Sequence, residues 1–282
     1  MKEMRGATVA AALTEQAAEK MGKLQEKQVI PCLSVIRVGK REDDLSYERG
    51  IGKRFEKVGA RVRIIELPED VSQAELERAF DAENENPLVH GILLFRPLPS
   101  HLSDRPLTCR INPDKDVDGM CPTNAARVYL GDKNGFAPCT AMAVIHLLEH
   151  YEIPLSGAEA VVIGRSPVIG KPVSMMLLNR NATVTVCHTR TRDLAKICRR
   201  ADLIVAAAGV AKMVGKEHLS ENQVVVDVGI HMTEEGLCGD VDPAAAEICS
   251  AITPVPGGVG AVTTSVLLLH TVQAAERLTQ EV

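Results

Sequence analysis

The sequence predicts an α/β protein built on parallel sheet. Three observations carry this. Short β-branched runs alternate with helical segments in the order β-α-β-α-β up to residue 94. The alternation resumes near residue 160. There, Val161-Val162-Ile163 leads into a turn holding Gly164 and Gly170, and an apolar helical segment follows Pro172.

In chain order, residues 8–26 have the Ala, Glu, Gln, Leu and Lys composition of a helix. Residues 30–38 read as a buried strand ending at Gly39. After the charged turn 40–44, Ser46 is the expected N-cap of a helix to about residue 57, stopped by Gly59. Residues 62–66 form a strand, Ser72 caps a helix through 83, and strand 91–94 is broken by Pro97-Leu98-Pro99. A loop rich in Asp, Gly and Pro covers 112–122, a helix 140–151, and a turn at 153–157 enters the central strand. Strand 183–186, helix 193–200 and strands 203–207 and 224–228 follow. A Gly- and Pro-rich loop spans 253–262 and a helix closes the chain over 263–278, with no internal repeat.

The 282 residues suffice for one large or two ordinary domains. Hydrophobic residues make up 45% but aromatics only 2%, with no Trp, so the core is aliphatic. A net charge of −5 argues against nucleic acid or a membrane surface as partner. The eight cysteines include no Cys-x-x-Cys spacing, so no zinc or redox motif is expected and a reducing compartment is. Neither a signal-like apolar segment at residues 1–5 nor a run of membrane-spanning length is present, so a soluble cytoplasmic protein is expected.

Strand, glycine turn and helix N-terminus make an anion site, because free backbone N–H groups and the helix dipole face the turn. An ordinary turn with a packing glycine is the plainer reading. A P-loop is excluded, since five residues separate Gly164 from Gly170 and Pro172 follows Lys171. The G-x-G-x-x-G pattern also fails, with Ser166 at its second glycine. About 20 residues on, an NAD site wants a carboxylate. Here stand Cys187-His188-Thr189-Arg190-Thr191-Arg192, and Arg165 lies in the turn itself. Those cations suit the 2′-phosphate of NADP, with NAD the weaker fit; a solvated basic loop is the alternative.

His146-Leu147-Leu148-Glu149-His150 matches H-x-x-E-H, but lacks a suitable third ligand, so no metal site is expected. Tyr47 has Ile51 rather than lysine four residues on, which removes a Tyr-x-x-x-Lys pair. The acidic turn Asp114-Lys115-Asp116-Val117-Asp118-Gly119 could bind a metal, hold a polar heterocycle through a carboxylate, or simply face solvent.

These pieces together resemble the methylenetetrahydrofolate dehydrogenase/methenyltetrahydrofolate cyclohydrolase family over nearly the whole chain. Its carriers are the run Pro113 to Gly119, Pro138-Cys139-Thr140, the turn Gly164-Arg165-Ser166 with Gly170 and Pro172, Val226-Asp227-Val228-Gly229-Ile230, and the run Thr253 to Gly260. The resemblance implies two α/β domains with a cleft between them. A folate-binding catalytic domain would span 1–137, completed by helix 262–282, and a Rossmann-like NADP-binding domain 138–261. It implies a homodimer acting on tetrahydrofolate derivatives, and NADP contacts from Gly164, Arg165, Ser166, Thr189, Arg190 and Ile230. Tyr47 would pack on the folate and Asp118 hold the pterin, which makes them the candidate catalytic residues. Pro256, Gly257, Gly258, Val259 and Gly260 would line the folate site.

Departures from the family pattern are as informative. The family runs Tyr-Val-x-x-Lys, with that lysine serving the cyclohydrolase step; here the run is Tyr47-Glu48-Arg49-Gly50-Ile51. The family's Gly-Ile-Leu-x-Gln-Leu-Pro-Leu-Pro becomes Gly91-Ile92-Leu93-Leu94-Phe95-Arg96-Pro97-Leu98-Pro99. Lysine and its glutamine partner are thus Ile51 and Phe95, a coordinated change. Lys53 is rotated about 200° from position 51, to the opposite helix face. The expected activity is an NADP-dependent 5,10-methylenetetrahydrofolate dehydrogenase in which cyclohydrolase activity is in doubt. A bifunctional enzyme using Arg96 or Arg54, or a folate- and NADP-binding protein without turnover, are the alternatives. Ala261 and Val262 also replace the family's Pro-Met.

Overall fold

A computed structural model describes residues 2–234 and 236–279. The chain divides into two compact units, Ala12–Cys139 with Thr264–Val282, and Met1–Ala11 with Thr140–Thr263.

Strand β1 (Lys2–Glu3) and helix α1 (Gly6–Glu26) open the chain. The first sheet follows as β2 (Cys32–Val38), α2 (Glu42–Glu56), β3 (Arg61–Leu67), α3 (Gln73–Glu85) and β4 (Gly91–Leu94). It has strand order β3-β2-β4, parallel throughout. Every residue of central β2 is buried, as a strand covered on both faces must be. One of these is Arg37, 3% exposed, whose guanidinium meets Glu48 at 2.9 Å and Glu66 at 3.1 Å. Because Glu48 lies on α2, this ion pair ties that helix to the sheet.

Helix α2 starts at Glu42, four residues before the expected Ser46 cap. Its first turn holds Glu42, Asp43 and Asp44, and Arg41 at the N-cap makes no side-chain cap bond. Three carboxylates facing the positive end of the helix dipole do the work expected of a cap. Helix α3 begins as expected after Ser72, with a reciprocal capping box to Glu75.

Two short helices, α4 (Arg105–Arg110) and α5 (Pro122–Leu130), flank the acidic turn, and α6 (Cys139–His150) follows. The sequence reading did not place α5. Its signals were present: Pro122 in the first turn, Gly131 left-handed at the C-cap (φ 72°), and a cysteine, Cys121, as cap acceptor.

The second sheet contains β5 (Glu159–Ile163), α7 (Gly170–Leu178), β6 (Thr183–Cys187), α8 (Leu194–Cys198), β7 (Leu203–Ala206) and β8 (Val224–Asp227). A hairpin of β9 (His231–Thr233) and β10 (Gly236–Cys238), then α9 (Pro243–Ala246), β11 (Ala251–Ile252) and α10 (Val259–Leu278), complete the chain. The order is β1-β11-β8-β7-β5-β6, all parallel. Residues 1–11, expected with the folate domain, group here because Lys2 and Glu3 pair with Ala251 and Ile252. After β6 the chain returns past β5 to form β7, so β5 and β7 bracket a topological switch point, where such sheets bind ligands.

Helix α10 begins at Val259, four residues before its expected start. A Gly-Gly-Val-Gly run reads as loop. In the structure Gly260 is helical, and a Cβ there would lie 3.2 Å from Ile230 Cδ1, so glycine relieves crowding at this contact.

Candidate active site

The acidic turn resolves into separate tasks. Lys115, 6% exposed, donates from Nζ to Asn84 O and Asn86 O, the carbonyls that end α3. Asp116 is fully buried and accepts from Met120 N, Cys121 N and Asn124 Nδ2, each at 2.9 Å, which fixes the start of α5. Asp118 retains partial exposure, its side chain 19% accessible. Its Oδ1 accepts from Cys139 N at 3.0 Å, and Arg96 Nη2 lies 3.7 Å from Oδ2. Burial pushes the Asp118 carboxyl up, while the Cys139 amide and Arg96 pull it back.

Tyr47, on α2, stacks on Phe95 at the end of β4, with ring centroids 5.6 Å apart and planes inclined by 29°. Ile51, one helical turn past Tyr47, is fully buried. Burial holds the Tyr47 phenol well above its ordinary value, and the Cys139 thiol and Asp118 push it the same way. Tyr47 is therefore a neutral hydroxyl on an apolar shelf. Burial and Asp118 also keep Cys139 a thiol, which donates to Val117 O at 3.3 Å and is no nucleophile.

The cations near Ile51 in sequence or site separate cleanly. Lys53 is exposed. Arg54 donates to Thr14 Oγ1 on α1 at 3.1 Å. Arg96 stands beside Asp118 and 3.6 Å from Asp104. Glu48, where the family pattern has valine, is the residue whose role sequence reading missed, and buried Arg37 explains it.

In the second unit, Gly164 ends β5 at φ 126°, and a Cβ there would fall 2.0 Å from Ala207 O, just past β7. A Cβ on Gly170 would fall 2.2 Å from Gly164 O. Both glycines are demanded by close backbone approach at the switch point. Ser166 changes the anion-site expectation. Its Oγ accepts from Ile169 N and Gly170 N, and its carbonyl from Lys171 N. These N–H groups at the start of α7, expected free, are already bonded. An anion here therefore meets the helix dipole and side-chain charge rather than these three amides.

That charge is close by. Register pairs Ile163 with Cys187, so Gly164–Ser166 and His188–Thr189 leave the sheet side by side. The second loop closes on itself through His188 N to Thr191 Oγ1 and Arg190 N to His188 Nδ1. Thr189, Arg190 and Arg192 are thereby left exposed, as is Arg165. The glycine cradle and these three cations fit a phosphorylated dinucleotide.

Ile230 and the run Pro256–Gly260 come together in this unit around a cavity of about 310 Å³ at the ends of β8 and α10. Asp227, 4% exposed, accepts from Gly229 N, Asp240 N and Val241 N, and burial raises its carboxyl to about 6. Asp240 in turn accepts from three successive amides, Ala208 to Val210, and from His231. This network fixes the loops after β7 and β8. At the H-x-x-E-H segment, Glu149 is held by Arg180 at 2.7 Å. Among the described residues no group of three His, Cys, Asp or Glu is placed to hold a metal.

Fold and site together define an α/β enzyme with a nucleotide-binding parallel sheet. Residues 4–118 match the model of the tetrahydrofolate dehydrogenase/cyclohydrolase catalytic domain, and residues 138–279 that of the same family's NAD(P)-binding domain. The bifunctional protein FolD of Clostridioides difficile is 46% identical over 97% of this chain and 96% of its own length. The crystal structure of bifunctional FolD from Campylobacter jejuni superposes with a TM-score of 0.95 at 40% identity, covering 98% of this chain and 99% of that one. FolD of Trypanosoma brucei, solved with NADP and an inhibitor, gives 0.92 at 37% identity, covering 98% and 97%. The chain belongs to the tetrahydrofolate dehydrogenase/cyclohydrolase family.

Proposed function

We propose that this chain is an NADP-dependent 5,10-methylenetetrahydrofolate dehydrogenase whose cyclohydrolase step is lost or strongly impaired. The observation that carries the second half is the apolar shelf of Tyr47, Phe95 and buried Ile51 where the family pattern has a lysine and glutamine. When bound, NADP supplies the hydride acceptor. Arg165, Arg190 and Thr189 hold its 2′-phosphate end; Gly164 and Ser166 shape the turn, and Ile230 borders the cofactor. Asp118 accepts the amidine edge of the pterin, Tyr47 packs on its ring, and Pro256 to Gly260 line the folate.

Hydride transfer needs reactants held in register and a stabilised developing cation, which positioned groups supply without a protein acid or base. Opening the methenyl bridge needs an activated water and proton transfers, for which Tyr47 is a poor base because its phenol is held neutral. A second reading, bifunctionality with Arg96 as the cation, is favoured by the 3.7 Å approach of Arg96 to Asp118. Following NADPH formation and methenyl loss separately, from one reaction with methylenetetrahydrofolate, tests both. No NADPH formation would leave a binding protein.

Homodimerisation and a cytoplasmic location belong to the same proposal. The location is supported by seven buried free cysteines and by the absence, among the described residues, of a helix able to cross a membrane. Light scattering on the purified chain tests the dimer.

A further inference from the structure

We infer that Arg96 is the counter-ion of Asp118, and the positioning residue through which this chain keeps a carboxylate ready for the pterin. This rests on the folate reading above. The family pattern places leucine at position 96 and lysine at position 51; here the cation has moved from α2 to the loop after β4. The move matters because Asp118 sits in surroundings that penalise charge. The groups facing it are the Cys139 amide and thiol from α6, the Tyr47 hydroxyl from α2, and Arg96. Asp116 adds a further negative charge near Cys139. Among these, Arg96 is the cation.

Arg96 is well placed for this task and poorly placed for others. It is 25% exposed, and its guanidinium spans two carboxylates, Asp118 at 3.7 Å and Asp104 at 3.6 Å. Asp104 anchors the fork from the solvent side. An arginine so held pulls the Asp118 carboxyl down against the upward push of burial. Neither contact is short enough for a direct hydrogen bond, so Asp118 keeps its Oδ2 lone pairs for a ligand. A pterin presents N3–H and the 2-amino group side by side, two donors that match an ionised carboxylate and not a protonated one.

The test is direct binding of tetrahydrofolate, measured anaerobically by titration calorimetry between pH 5.5 and 8. Wild type, Arg96→Leu, Arg96→Gln and Arg96→Lys are compared, with NADP binding and circular dichroism as controls on folding. Below the titration of the carboxyl, each unit of pH weakens binding about tenfold. Arg96→Leu and Arg96→Gln should bind close to wild type at pH 8 and fall progressively below it as pH drops toward 5.5. Wild type and Arg96→Lys should lose less over that range, and NADP affinity should not change in any of them. A loss equal at every pH would show that Arg96 only packs, and would overturn the inference, as would a flat profile for both neutral variants. Wild type that binds tetrahydrofolate with the expected profiles but forms no NADPH would sink the catalytic reading and leave this one standing. Wild type that does not bind tetrahydrofolate would sink both.

Discussion

Restoring the absent pair, Ile51→Lys with Phe95→Gln, should restore hydrolysis, and the two changes should succeed only together. Ile51 is fully buried and Phe95 is 6% exposed against Tyr47. Lysine alone at 51 places an ammonium at a fully buried position one helical turn past Tyr47, without the glutamine that would accept from it. The cost is on the order of 3 kcal/mol, or a melting temperature lower by roughly 6–12 °C. Burial would also drive that amine toward its neutral form, so the charge that catalysis needs would not persist. Glutamine alone at 95 removes the stacked ring and leaves an amide with nothing to bind. In the double variant the amide oxygen accepts from the ammonium, and the pair recovers ~0.5–3 kcal/mol of coupling. Positioned acid–base groups contribute about 10²–10⁴-fold, so the double variant should exceed the sum of the singles by a margin easily measured. The assay is decay of methenyltetrahydrofolate absorbance, corrected for buffer-catalysed hydrolysis. Wild type should run near the uncatalysed rate, and methenyl product should accumulate during NADP reduction. Rapid hydrolysis by wild type would refute the reasoning, and Arg96→Leu would then show whether Arg96 supplies the cation.

Three further outcomes are expected. Arg165→Ala should weaken NADP binding roughly tenfold and NAD binding much less, because a charge-assisted phosphate contact is lost; equal losses would remove the case for Arg165. The folded Asp227 carboxyl keeps its proton up to about 6, whereas the unfolded chain releases it near ~3.9. The native state then binds more protons between those values, and stability from this group falls as pH rises through them, on the order of 3 kcal/mol in all. Urea midpoints from pH 4.5 to 7 should show this slope in wild type and not in Asp227→Asn. Ser72→Ala should lose the capping box at α3 and about 1 kcal/mol, read as a lower melting temperature with unchanged turnover.

Much of the frame was legible in the sequence because it rests on local patterns. Buried parallel strands read as unbroken apolar runs, and β2, β4, β5 and β7 were found that way. Gly164 and Gly170 announced a tight turn, and Ile51 and Phe95 announced a missing polar pair. Misplaced helix starts had a common cause. At α2 the carboxylates of Glu42–Asp44 substitute for a cap, and at α10 glycine serves packing against Ile230 rather than a loop. Neither use of those residues is marked by residue type.

By itself the sequence determined the parallel α/β class, the glycine turn with its nearby cations, and the apolar Ile51 and Phe95 on which the proposed loss of hydrolysis rests. Only the tertiary structure decided what each charge does. It joined Arg37 to Glu48, spent the helix amides of α7 on Ser166, gave Lys115 and Asp116 to neighbouring helix ends, and set Arg96 beside Asp118. Periodicity and turn chemistry act between residues a few positions apart, so they survive in the linear chain. A charge acts on whatever lies within a few ångströms in any direction, and Arg96 and Asp118 become neighbours only when the chain folds.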